Sequence, residues 1–241
     1  MAFKSEWITH KGALTDDNRD YCGIALRGSE ELYIVVDGST RDHQSGALAE
    51  KFVRALADQF VADPAISSTE KILSILNELT ESLKTSYPAG RLSFLILFYT
   101  GGNSVTVLHA GDCRLGRVHA HGDVIWLTGA HTLANATEAI GDDYLARHDD
   151  RHVLTRSFRP GKSCAADKRQ FSLMENDRLV IATDGYWADL DNGQKSDFMT
   201  KSFVPSSPRR DDVSCLVMSR LPKGSETATQ ESSENFYLIS R

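Results

Sequence analysis

Three aspartates stand where apolar, β-rich runs meet a turn. Asp37 follows Glu31 to Val36 (ELYIVV) and precedes Gly38, Asp184 follows Asp177 to Thr183 (DRLVIAT) and precedes Gly185, and Asp211 with Asp212 stands at the entrance of Val213 to Met218 (VSCLVM). A buried strand fixes the backbone of such a residue and leaves its carboxylate at the mouth of the sheet. The glycine after Asp37 and Asp184 lets the chain turn sharply and leaves a carbonyl open to an ion or water. Oxygen donors of this kind suit hard divalent cations, and Mg²⁺ in particular is held by one or two carboxylates while it keeps several waters. One Asp-Gly after a strand is an ordinary turn. Three strand-end aspartates in one chain shift the balance toward a metal centre.

The elements that must position them follow from periodicity. Leu48, Phe52, Ala55, Leu56 and Phe60 lie at helical spacing within Gly46 to Val61, and Ile72, Ile75, Leu76, Leu79 and Leu83 do the same in a following helix. The second helix starts after Pro64, with Ser67 and Glu70 in capping-box spacing. Leu92 to Tyr99 (LSFLILFY) and Ser104 to Ala110 (SVTVLHA) read as strands joined by a hairpin turn at Gly101-Gly102-Asn103. Asp123 to Leu127 is a further strand after the turn residues His121-Gly122. A strand, two helices and then several antiparallel strands predict an α+β protein with sheets packed face to face and helices outside them.

The chain has 241 residues, 41% of them apolar and 25% charged, which is enough for one core and needs no second domain. The expected division is a domain over 1–221 and a polar tail over 222–241, rich in Ser, Thr and Glu and packing little. No apolar run approaches the roughly 18 residues of a membrane span, and the N-terminal residues lack a signal-peptide core, so no membrane partner is expected and the expected location is cytoplasmic. A net charge of −6 argues against nucleic acid as a partner. Cys22, Cys113, Cys164 and Cys215 form no CxxC pair and are expected to be reduced and mostly buried.

Blocks in order along the chain resemble the PPM (PP2C-type) serine/threonine phosphatases from about Gly12 to Met218. They are Gly12 with Asn18-Arg19-Asp20, VVDGSTRDHQSGALAEKF, GDCRLGRV from Gly111, HTLANATEAIG with HVLTRSF, IATDGYWADL and DDVSCLVM. The resemblance implies a four-layer α-β-β-α sandwich of two antiparallel sheets flanked by helices, with two Mn²⁺ or Mg²⁺ ions at one edge. It further implies that Asp37 bridges the ions, the Gly38 carbonyl touches the second, and Asp184 and Asp211 hold the first. Asp20 would hydrogen-bond metal waters, and Asp112 with Asp184 would hold a third ion. The implied activity is hydrolysis of phosphoserine and phosphothreonine in proteins, as part of signalling, with a cognate kinase as a further partner.

The sequence departs from that pattern at Thr15, where the family has the arginine that grips phosphate. Lys11, Arg19 and Arg41 are the candidate substitutes, with the arginines favoured because a guanidinium binds two phosphate oxygens at once. The segment between Asp184 and Asp211 is short for the family, and Ala130 precedes His131 where the family has an acid. His43 and His131 read as surface or packing residues. Two other readings share these residues: a phosphatase-like module that binds a phosphoprotein or regulatory partner without turnover, and a carboxylate-metal nuclease or small-metabolite phosphatase.

Overall fold

The computed structural model describes residues 2–119, 122–203, 210–222, 229–230 and 235–241. Its strands run β1 (Phe3–His10), β2 (Asp20–Arg27), β3 (Glu30–Gly38), β4 (Leu92–Tyr99), β5 (Ser104–Ala110), β6 (Arg114–Val118), β7 (Val124–Trp126), β8 (Asp167–Ser172), β9 (Arg178–Ala182), β10 (Val213–Arg220), β11 (Thr229–Gln230) and β12 (Phe236–Ser240). The helices are α1 (Ser45–Ala62), α2 (Thr69–Leu83), α3 (Asp142–Leu145), α4 (Asp184–Trp187) and α5 (Asn192–Met199). One sheet has the order β11-β1-β10-β9-β6-β7 and the other β12-β2-β3-β4-β5-β8.

Three apolar layers hold these elements in the α-β-β-α order. Alternation along the strands sorts the side chains: on β3, Leu32, Ile34 and Val36 face α1 and α2, whereas Tyr33 and Val35 face the other sheet. On β10, Leu216 and Met218 enter the same inter-sheet layer, and Val213, Cys215 and Val217 pack under α4 and α5. Strands buried on both faces read as continuous apolar runs, which is why ELYIVV and LSFLILFY were legible as strands. Phe52 of α1 is fully buried and meets Phe94 and Phe158 at ring-centroid distances of 5.7 and 4.8 Å. Burying one such ring contributes about 1.5–3 kcal/mol.

The structure amends several expectations. The N-cap of α2 is Ser68, whose side chain accepts the Lys71 N–H, rather than Ser67. Strands β1, β2, β6 and β8 carry no strong signal in the sequence and are additions to the expected set. Gly122 of the expected turn has φ of 88°, and His121 lies outside the described residues. The sheets are antiparallel except at their edges, where β11 runs parallel to β1 and β12 parallel to β2. The C-terminal residues therefore do not all form a loosely packed tail. Tyr237 on β12 donates its hydroxyl to Asp58 at 2.6 Å, Arg54 lies over its ring, and the Asn235 amide donates to the carbonyls of Asn18 and Asp20.

Candidate metal and phosphate site

The period of two that builds the inter-sheet core also aims its polar ends. Asp20 shares the parity of Cys22 and Ile24 on β2, Asp37 that of Tyr33 and Val35 on β3, and Ser93 that of Leu95 and Leu97 on β4. Pairing sets Asp20 opposite Asp37, and Asp37 opposite Ser93. From the other sheet, Thr183 continues the parity of Leu179 and Ile181 on β9, and its hydroxyl donates to Asp20 Oδ2 at 2.9 Å. The Ser214 N–H donates to the same hydroxyl at 3.2 Å. Three adjacent strand ends of one sheet and the residue after β9 of the other thus meet at the open edge of the sandwich.

Close backbone approach brings Asp184 and Asp211 there. A Cβ on Gly185 would lie 2.0 Å from the Asp212 carbonyl oxygen, and one on Gly12 would lie 2.3 Å from the Asp211 carbonyl carbon. Only glycine fits at either point. Asp212 fixes the N-terminal loop from below by accepting the N–H groups of Gly12 and Arg19, both at 2.7 Å, so it acts as a buried structural clamp. Asp112 sits beside them at the end of a Gly111 turn, where Ser93 Oγ donates to its Oδ1 at 2.5 Å and Trp187 Nε1 donates to its carbonyl at 2.8 Å.

Asp37, Asp112, Asp184 and Asp211 line one cleft of about 540 Å³, with Asp20 behind Asp37. Burial raises the pKa of every one of these carboxyls. Mutual repulsion adds to this at Asp37, which feels Asp20, Asp184, Asp112 and Asp211, and at Asp184, which feels Asp112 and Asp211. Asp211, half-buried, is pushed up to about 6, by burial first. Two carboxylates near 5 Å apart repel by about 3 kcal/mol at an effective dielectric of 20. Among the described residues one side-chain cation hydrogen-bonds to any of the five: Arg151, whose Nη1 reaches Asp184 Oδ2 at 3.1 Å while Nη2 reaches Asp189 at 2.7 Å.

The three candidate cations from the sequence separate here. Lys11 Nζ donates to the carbonyls of Gly12 and Thr15, and Arg19 is buried, donating to Asp17 and to the Ser39 carbonyl. Arg41 lines the cleft. Thr15 has its hydroxyl on the Asp17 carbonyl, and its neighbour Leu14 reaches the cleft wall. Arg91, Arg151 and Arg210 also line the cleft and were missed in the sequence. Arg210 had a local signal, being next to Asp211. Arg151 had none, since its partner Asp184 is 33 positions away.

His43 is exposed, near Asp42. His131 packs away from the carboxylates, stacked on His109 with ring centroids 4.6 Å apart. His109, His131 and Asp167 hold their donor atoms within 4.8 Å of one another. However, His131 Nδ1 accepts the Gly111 N–H, which puts its proton on Nε2 facing Asp167 Oδ2 at 3.2 Å, and Arg156 pairs with the same carboxylate. The trio pins the loop after β7 to the edge of the sheet.

No family model matches this sequence, and no curated protein matches it. Solved structures do. The serine/threonine phosphatase of S. agalactiae superposes with a TM-score of 0.72 at 19% identity, covering 90% of this chain and 98% of that one. Stp1 from Staphylococcus aureus gives 0.75 at 18%, covering 91% and 95%. The fold is that of the PPM-type serine/threonine phosphatases. A third example, the PPM phosphatase MsPP from Mycobacterium smegmatis in complex with cacodylate, gives 0.69 at 23%, covering 90% and 98%. The PPM-type sandwich thus accounts for nearly the whole chain. Among the described residues no helix is long and apolar enough to cross a membrane.

Proposed function

We propose that this chain hydrolyses phosphoserine and phosphothreonine in proteins with a pair of Mn²⁺ or Mg²⁺ ions. The observation that carries this reading is the convergence of Asp37, Asp112, Asp184 and Asp211 on one cleft, with Asp20 behind them. Five clustered carboxyls, with Asp20, Asp112 and Asp184 buried and Asp37 and Asp211 half-buried, and one hydrogen-bonded guanidinium are an unfavourable set of bare charges, and an all-oxygen donor set fits hard divalent cations. Asp37, Gly38, Asp184 and Asp211 would hold the pair, and Asp112 with Asp184 a third ion. When bound, such ions acidify a water and neutralise phosphoryl oxygens.

The residues of the chain supply the rest. Asp20, held by Thr183, orients water next to Asp37, and Ser93 holds Asp112 in place. Arg41 reaches a phosphate oxygen from the cleft wall and takes the role that Thr15 cannot. MsPP was solved in complex with cacodylate, a tetrahedral oxyanion, and a phosphate is the occupant proposed for the cleft here. A thiol nucleophile is disfavoured, because all four cysteines are buried and burial pushes their thiols up, Cys164 to about 12. A phosphorylated protein, a cognate kinase and a cytoplasmic signalling role belong to the same proposal.

The test is phosphate release from p-nitrophenyl phosphate and from a phosphothreonine peptide, in Mn²⁺ and in EDTA. Release that needs Mn²⁺ and survives thiol alkylation supports the reading. Peptide binding without release in Mn²⁺ selects the non-catalytic module instead.

A further inference from the structure

Leu92 and Phe158 exchange both backbone hydrogen bonds, at 3.0 and 2.9 Å, as an isolated antiparallel bridge. The next positions outward are Arg91 and Arg159, so two guanidinium side chains leave the same face directly opposite each other, an arrangement that destabilises a strand pair. The Ser39 N–H donates to the Arg91 carbonyl at 3.1 Å, which sets the turn carrying Arg41 beside them. Arg41 and Arg91 both line the carboxylate cleft. Among the described residues none of the three has a carboxylate partner, whereas Arg27, Arg54, Arg114, Arg117 and Arg151 each have one. Arg159 Nε is oriented by Ser157 Oγ at 3.0 Å. The Arg91 guanidinium is held below its usual range by partial burial first and then by the charges of Arg159 and Arg41.

We infer that Arg91 and Arg159, with Arg41 at their inner end, form an oxyanion subsite beside the cleft, which takes an acidic side chain or a second phosphate flanking the phosphorylated residue of the substrate. An oxyanion there offsets the repulsion among the arginines and gains charge-assisted hydrogen bonds that a neutral flank cannot make. The net charge of −6 does not itself favour such a substrate, so the preference is assigned to this local patch. This inference rests on the phosphatase reading for the place of the first phosphate only.

Binding measured without turnover separates the two. Fluorescence anisotropy on the full chain with Mn²⁺ would compare three non-hydrolysable phosphonate peptides that differ in one flanking position: Gln, Glu or the phosphonate analogue of phosphoserine. The parent is expected to bind the Glu or phosphoserine peptide more tightly, and which of them it favours identifies the natural flank. Arg159→Gln and Arg91→Gln should each cut that preference about fivefold, the range of a partly exposed ion pair. Arg54→Gln, an equal charge change on α1, should leave it alone. Arg159→Gln should not lower the thermal midpoint, because it relieves repulsion. Equal affinities in the parent, an equal loss in Arg54→Gln, or a lowered midpoint in Arg159→Gln with the preference intact would overturn the subsite. A preserved preference in a chain that never releases phosphate would instead reject the phosphatase reading and leave the subsite standing.

Discussion

The hydroxyl of Thr183 donates to Asp20 Oδ2 at 2.9 Å and so joins the two sheets at the edge where the carboxylates gather. The bond is buried, and Thr183 also receives the Ser214 N–H. Thr183→Val keeps the shape and leaves a buried carboxyl and a buried N–H short of a partner, which costs about 1–3 kcal/mol. Urea unfolding should show that loss. Turnover should fall by roughly 10–100-fold, as when groups that orient metal ligands are removed. Unchanged stability and kinetics would mean that this contact positions nothing.

Arg151 bridges Asp184 and Asp189, and in doing so occupies the carboxylate that a cation would need. Arg151→Ala should therefore destabilise the metal-free protein and raise its Mn²⁺ affinity, by about tenfold if the displaced contact is worth near 1.4 kcal/mol. Thermal unfolding in EDTA and calorimetric titration read the two effects separately. Weaker Mn²⁺ binding in the variant would show that Arg151 supports the ion site instead of competing for it.

Arg41 and the missing arginine at Thr15 concern the phosphate grip. A contact made equally in the ground state and the transition state is uniform binding, so Arg41→Ala should raise KM for a phosphopeptide with little change in kcat. Mn²⁺ affinity should stay the same. Steady-state kinetics with a neutral-flank peptide check this, and an unchanged KM would remove Arg41 from the site.

How much of this was legible in the sequence depended on range. Asp37, Asp184 and Asp211 announce themselves because each ends or opens an apolar run, and the helix faces of α1 and α2 follow from a local period. The strand β12 did not, since FYLIS is short, follows a long polar stretch, and gains its place by parallel pairing with β2, more than 200 positions earlier. Arg91 and Arg159 read as ordinary surface charge until the Leu92 to Phe158 bridge sets them face to face. Ser67 and Ser68 are both competent caps, and backbone geometry, not residue type, selects Ser68.

His109 provides a pH test away from the carboxylates. It is 2% exposed, stacks on His131, and its pKa is lowered to about 4, by burial first and by the neighbouring His131 second. The unfolded chain takes up this proton near pH 6.5, before the folded one does, so stability is fully present above that value and is lost as pH falls toward 4. His109→Phe keeps an aromatic ring on the stack and removes the titration. Its urea midpoint should fall less than the parent's between pH 7 and pH 5. Parallel curves would show that His109 is not a source of the acid sensitivity.

The central claim is that the carboxylate cleft works as a two-ion centre with Asp37 shared between the ions. Calorimetric titration of Mn²⁺ into the parent and into Asp37→Asn, with phosphate release from a phosphothreonine peptide followed in the same samples, addresses it most directly. The parent should take up two ions and turn over. Asp37→Asn should lose one of them and at least about 100-fold in rate, with its circular dichroism unchanged, because the charge that offsets two cations is gone. Full two-ion uptake by Asp37→Asn, or phosphate release by the parent in EDTA, would contradict the account.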